Sequence, residues 1–418
     1  MDIRIVWHEC KKALLSPILV GLLLLFTAFN IFLIVNNSYF KDELKVANRL
    51  VENYGREITD LSLNQFEKDL QVDLVKLEKI IGQELSSVHE FLDGLNYEDH
   101  ELYSESDWQF IEQLRLKEMY LGMANEIDGK YTRIDLKKVA EETITQTKVS
   151  GNAAKTLRNE YEEFSKRFEE MKQNEEHKEW FFAGNAYFMH KFLFKTVFLH
   201  IIIEALMLII LSTVLITNYE FENRTHLVTY GTPRGRRLMK DKLGASVLTA
   251  ALLTTFILVI TLSIYFTVFD YTNLWGSSIS SAFNWEYNFP HVAWWDLSIG
   301  FFLAGVVVIV YITMLLFSGL TFALTTLVKN SYVTSILMAI FFVLALLIPG
   351  FMPTSSNLLF ITGYNLSILV MNIPASFMGS SGLFMFKNFE WMTAVCWTII
   401  TIVLCVFSLK WFNKMDIH

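Results

Sequence analysis

The sequence predicts an all-α protein: a six-helix transmembrane bundle carrying an inserted extracellular α-helical, coiled-coil-like domain. Three observations predict it. Apolar residues fill 53% of the 418 positions and charged residues 19%, and the two sets are segregated into blocks. Stretches of about 20 apolar residues, the length that a bilayer core of roughly 30 Å demands, occur near 13–36, 192–217, 244–269, 297–326, 332–351 and 391–411. No proline falls between 18 and 232, so nothing interrupts helix formation in the polar block 37–191.

The first span follows a short amphipathic stretch. Ile3, Ile5, Val6 and Trp7 suit the membrane surface, while Arg4, Lys11 and Lys12 suit lipid phosphates or a partner, and Pro17 marks the bend into the span. The apolar run from Leu14 to Val35 is too long for a cleavable signal core, so it reads as a retained first helix.

Charge sets the orientation. Residues 37–190 hold 20 Lys and Arg against 32 Asp and Glu, a net of −12, and the remainder, with 15 against 11, is net +4, so the acidic balance belongs to this block alone. The basic residues gather in 1–12, in 218–243, at Lys329 and at Lys414, whereas 270–296 has none and 352–390 has Lys387 alone. By the positive-inside rule both termini lie inside and 37–191 outside; a domain of that size translocates largely regardless of its own charge.

Within the external block, Leu63, Phe66, Leu70, Leu74, Leu77 and Ile81 form one helical stripe. Leu157, Tyr161, Phe164, Phe168 and Met171 step by four and three, the spacing of a coiled-coil seam. These predict two long arms packed together and closed by a helical tip near 94–133, with a helix near 107–126 capped by Ser106 or Asp107. The tryptophans of 270–296 (Trp275, Trp285, Trp294, Trp295) and Tyr287 predict an interfacial aromatic belt. Segment 352–390 is too polar to span and too apolar for a free loop, which predicts short re-entrant or surface-lying helices before the last span and the tail, 391–418. Of the three cysteines, Cys396 and Cys405 lie about 13.5 Å apart along one helix, too far to bridge, and read as packed apolar residues; Cys10 stands apart. An external domain without disulfides favours a bacterial cell membrane.

No catalytic chemistry is legible. A P-loop is absent: Gly129-Lys130 is followed by Tyr131, and Gly122 is at the wrong spacing. No metal-ligand spacing and no nucleophile triad is readable, and an acidic domain disfavours nucleic acid as a partner. Within the membrane, His200 and Glu204 share a helix face at i, i+4, and Asn30 is a further polar residue; each is either interhelical glue or a functional group.

The most informative stretch is the inner loop 218–243. It reads as a short helix with an acidic start at Glu220 and Glu222 and an apolar patch of Leu227, Val228 and Tyr230. Gly231 and Pro233 end it, and a basic helix follows. Such an element suits docking on a cytosolic protein, with apolar contacts for affinity and charges for register.

This loop resembles the coupling-helix region of ABC-2 type transporter permeases, approximately E-x-E-x-G-T, L-L, T-P-x-x-R, then a Lys. The matching residues are Glu220, Glu222, Thr225, Leu227, Thr232, Pro233, Arg236 and Lys242; Arg224 stands where the family often has Gly. The opening Glu9-Cys-Lys-Lys-Ala-Leu-Leu-Ser-Pro17 is similar to the family's interfacial helix. The insertion resembles a Gram-positive variant that includes permeases of peptide-antibiotic export or immunity. The resemblance implies a membrane subunit of an exporter, with ATP and Mg held by a separate cytosolic ABC ATPase chain and with a second permease subunit alongside. It implies no cofactor and no enzymatic activity in this chain. A membrane sensor binding a peptide or cell-wall ligand outside, and an intramembrane enzyme built on His200 and Glu204, are the competing readings.

Overall fold

The computed structural model describes residues 2–39, 41–95, 101–286, 289–379, 382–384 and 386–415. Tyr287 lies outside them. The fold is all-α, and among the described residues six helices are long and apolar enough to cross a membrane.

Helix α1 (Ile3–Leu14) buries Val6, Glu9, Cys10 and Ala13 and exposes Ile3 and Trp7. Ser16 caps α2 (Pro17–Asn36), with Pro17 at its start, where the missing N–H is harmless. The insertion folds as α3 (Lys41–Tyr54), α4 (Asp60–Ile81), α5 (Val88–Asp93), α6 (Glu105–Asn125), α7 (Ile127–Thr132), α8 (Leu136–Thr147) and α9 (Gly151–Gln173). Helix α10 (Gly184–Phe192) runs through a π-helical turn at 193–197 into α11 (Phe198–Glu222). Then come α12 (His226–Tyr230), α13 (Pro233–Val268), α14 (Ile299–Val328), α15 (Ser331–Leu347), α16 (Leu358–Gly363), α17 (Leu366–Met371) and α18 (Phe389–Lys414). Trp285–Glu286 pairs antiparallel with Phe289–Pro290.

Helix α11 is the centre of the bundle, packed by α2, α13, α14 and α15, and it buries Ile201, Ile202, Ala205, Leu208 and Ile209. Helix α2 is peripheral: its buried residues are Leu19, Asn30 and Ile34. Spans α13 and α14 outrun the bilayer. The 36 residues of α13 cover about 54 Å, so its basic first turns project beyond the apolar core.

The insertion departs from two arms packed on each other. Helix α4 packs on α6, and α8 packs on α9. The seam of α9 meets neighbours other than α4: Phe168 stacks on Tyr131, Phe164 meets Trp294 at 5.3 Å, and Tyr161 bonds Thr143. A heptad seam specifies an apolar stripe, not its partner, and here α7, α8 and the loop before α14 fill that place. Ser104, rather than Ser106 or Asp107, caps α6, because Asp107 closes the reciprocal capping box with it.

The insertion is fastened to segments 269–298 and 352–379 at one end of the bundle. The Arg167 guanidinium is buried against Glu176 at 2.8 Å and donates to the Ala293 carbonyl. Ala282 N–H donates to His177 O, and Ser150 N–H to Thr354 O. Of the tryptophans of 270–296, Trp275, Trp285 and Trp295 are half-buried and Trp294 is buried away from any surface. Trp294 is buried under α9, and Trp275 packs on Phe266 and Tyr271. Segment 352–390 does fold into short helices: α17 is buried against α14, α15 and α18, and Asn365 donates to Ala345 O. Cys405 is packed, with its thiol on Gly319 O, whereas Cys396 is exposed.

Candidate functional site: an exposed turn on a buried ion network

At the opposite end, α1, α12 and the termini of α11, α13 and α18 converge. Helix α11 ends in a paired turn: Thr225 N–H donates to Glu220 O at 2.8 Å and Arg224 N–H to Phe221 O at 3.2 Å. This is the Schellman pattern, which places the residue after the C-cap in the left-handed region. That residue is Arg224, with φ +56°. A left-handed position is where glycine is least strained, so the glycine that the resemblance leads one to expect there has a backbone cause.

The acidic residues are not the start of the docking helix. Glu220 and Glu222 belong to the last turn of α11, and α12 is only five residues long. On α12, Leu227 is 53% and Val228 86% exposed, while Tyr230 is fully buried. The apolar patch therefore consists of Leu227 and Val228. Tyr230 points inward between Phe221 and Phe412, at ring distances of 5.6 and 5.0 Å, and its hydroxyl donates to Glu220 Oε2 at 2.8 Å. Burial, then the Glu220 charge, pushes this phenol far above its ordinary pKa, so it stays a donor. Glu222, Arg224 and Thr225 are exposed beside the patch.

After α12 the chain turns sharply. Thr232 caps α13 and Pro233 opens it; the Pro233 side chain lies outside the described residues. Gly235 is required here, since a Cβ would come within 1.6 Å of the Thr229 carbonyl oxygen. Arg236 looks inward, donating to Tyr230 O at 3.3 Å and to Asn413 O at 2.6 Å. It ties α12 to the end of α18.

Lys242 anchors the whole assembly. Its side chain is fully buried, with Nζ 2.5 Å from Glu220 Oε2, 3.5 Å from Glu9 Oε2 and donating to the Ile216 carbonyl. Glu9 is also buried and takes Lys12 at 2.7 Å. One ammonium thus joins α1, α11 and α13, and through Glu220 the Tyr230 of α12. A buried charge is tolerated only when paired and hydrogen-bonded, and here the two carboxylates come from different helices, Glu9 from α1 and Glu220 from α11. Sequence reasoning grouped Glu220, Tyr230, Arg236 and Lys242 with Leu227 and Val228 as one coupling set; the structure places the four behind the exposed face of α12. It quoted Glu9 in the opening motif without giving it a partner, and it missed Phe412. Glu9 carried a signal: it interrupts the stripe of Val6, Cys10 and Ala13 that α1 buries.

In the bundle core, Asn30 Nδ2 donates to Glu204 Oε2 at 2.7 Å and to Thr261 Oγ1 at 3.1 Å, joining α2, α11 and α13. Glu204 therefore pairs with a neighbouring helix. His200, one turn away, lies against the Phe29 ring at 5.0 Å.

Six helices of this length and apolarity define a polytopic membrane protein. A family model described as ABC-2 family transporter protein matches residues 3–417, and the chain belongs to that family. It is a multi-pass membrane protein and a permease subunit of an ABC transporter. No curated protein and no solved structure matches the chain.

Proposed function

We propose that this chain is the membrane subunit of an exporter in a bacterial cell membrane, driven by a separate cytosolic ATPase that docks on α12. Both termini and α12 face the cytosol, and the insertion faces outward. ATP and Mg bind in the ATPase, and two permease subunits flank the path of a hydrophobic or peptide-like substrate. The observation that carries this reading is the two-sidedness of α12: Leu227 and Val228 are bare, while Tyr230 behind them joins a buried ion network spanning four helices. Force applied to Leu227 and Val228 therefore reaches α1, α11 and α13 together. Closure of the ATPase around ATP shifts these helices between two packings, and the driving energy is the ATPase's differential affinity for the two states.

The test is Leu227→Asp and Val228→Asp. Burying either apolar side chain in an interface is worth roughly 1.5–3 kcal/mol, so each variant weakens ATPase association by at least tenfold in co-purification and lowers substrate-stimulated ATP hydrolysis. Glu222→Ala, at the exposed rim, has a milder effect, within about 1 kcal/mol. Unchanged co-purification with both aspartates would sink the docking reading and favour a ligand sensor that signals inward.

A further inference from the structure

Beside α1 lies a groove of about 1020 Å³, between Asp2 and Ile5 on one side and the first two turns of α13 on the other. Arg234, Arg237 and Lys240 line it. All three are exposed, and none makes an ion pair or a side-chain hydrogen bond among the described residues. We propose that this groove is a second docking contact, which receives a carboxylate-rich segment of the ATPase and steers its approach. The inference rests on the reading of α12 as the first contact.

Bare charge argues for an acidic occupant. Exposed cations on the insertion find carboxylates: Arg158 holds Glu141 at 2.6 Å, Lys166 holds Glu163 at 2.6 Å and Lys130 holds Glu126 at 2.8 Å. The groove has carboxylates too, but they are engaged elsewhere. Asp241 is buried and accepts the Asp2 N–H at 2.8 Å, and Asp2 caps α1 by accepting the Arg4 N–H at 3.0 Å. Arg234, Arg237 and Lys240 follow one another at three-residue steps, so they are neighbours on the helix surface. Their mutual repulsion is offset best by an occupant that carries several carboxylates.

Position favours a protein over the bilayer. The apolar run of α13 begins near 244, so Lys240 lies about 6 Å and Arg234 about 15 Å before it. The headgroup layer is only about 5–8 Å thick, so Lys240 reaches it and Arg234 lies beyond it, in water. Helix α1 agrees. Ile5 lies about 160° round the helix from both Ile3 and Trp7, the exposed apolar pair suited to the bilayer surface, so the groove opens on the flank turned away from that surface. Helix α12 is the neighbour there: Gly235, in the groove wall, backs on the Thr229 carbonyl of α12. A protein seated on Leu227 and Val228 meets the groove next.

Charges at an exposed rim set the rate of encounter more than the lifetime of the complex. The full chain in phosphatidylcholine nanodiscs is immobilised, and association of the ATPase that co-purifies with it is followed by biolayer interferometry. The parent on-rate is expected to fall by about tenfold between about 50 and about 300 mM salt, as the screening length shrinks from roughly 14 to roughly 6 Å. The triple variant Arg234→Gln, Arg237→Gln, Lys240→Gln associates about tenfold more slowly at low salt, with a flat salt profile and an off-rate within about twofold of the parent's. Its Tm is unchanged, because the three side chains hold nothing within the chain. Leu227→Asp does the reverse, raising the off-rate and keeping the salt slope, so the two contacts fail separately. A triple variant with the parent's on-rate would overturn the groove and leave α12 standing. Loss of flotation with phosphatidylglycerol vesicles at an unchanged on-rate would also overturn it, and would give the three cations to lipid.

Discussion

Replacing Lys242 by Met tests the ion network directly. Met keeps most of the side-chain length and removes the ammonium, leaving the Glu220 and Glu9 carboxylates buried without their common cation. Tyr230 still donates to Glu220 and Lys12 to Glu9, so each carboxylate keeps one partner. Removing one member of a buried ion pair costs roughly 3–5 kcal/mol, because the remaining charge is stranded. At about 2–4 °C per kcal/mol for domains of 150–250 residues, the Tm of the detergent-solubilised chain falls by something on the order of 10 °C. The paired variant Lys242→Met with Glu220→Gln recovers a large part of that loss, since one stranded charge is gone; Glu9 accounts for the rest. Thermal unfolding followed by tryptophan fluorescence reads both. A Lys242→Met chain that melts within 2 °C of the parent, or a paired variant no better than the single, would refute the network as the element that holds the docking end together.

Three further outcomes follow from the same structure. Arg224→Gly removes a non-glycine residue from φ +56° and stabilises the α11 turn by about 1 kcal/mol, read as a higher Tm with ATPase association kept. Glu204→Gln retains an acceptor for Asn30 and leaves assembly and transport intact, whereas Glu204→Leu strands the Asn30 amide at roughly 1–3 kcal/mol; loss of transport in an assembled Gln variant would instead assign Glu204 a proton. Burial, then the neighbouring Lys178, lowers the His177 pKa from 6.5 to about 4, with Asp128 and Glu175 opposing. The unfolded chain therefore binds more protons between those values, and stability contributed by neutral His177 is full above pH 6.5 and is lost as pH falls toward 4, by up to about 3 kcal/mol; His177→Phe flattens that part of the Tm–pH profile.

The spans were legible because a bilayer imposes length and apolarity on each one separately, with no knowledge of partners. The docking turn was legible in outline for a similar reason: Thr232, Pro233 and Gly235 carry their geometry locally. What sequence could not show was direction. Leu227, Val228 and Tyr230 look alike as an apolar patch, and only the neighbours Phe221 and Phe412, the latter 182 positions beyond Tyr230, turn the last inward. The seam of α9 failed in the same way. Its 4-3-4-3 spacing is real, but Trp294 and Tyr131 occupy it instead of α4. Buried ion pairs such as Arg167 with Glu176 are invisible in a block where nearly every third residue is charged.

The Glu9–Lys242 contact also sets an order of events at the ribosome. The two residues are 233 positions apart, so when α1 first settles at the membrane surface its carboxylate has no counter-ion from the bundle and must stay hydrated. That holds the apolar stripe of α1 out of the interior while α2, the insertion and α11 are made. Only when the start of α13 emerges can Lys242 neutralise Glu9 and Glu220 at once and let α1 dock. The N-terminal helix, first to be synthesised, is in this sense among the last parts of its end of the bundle to find its place.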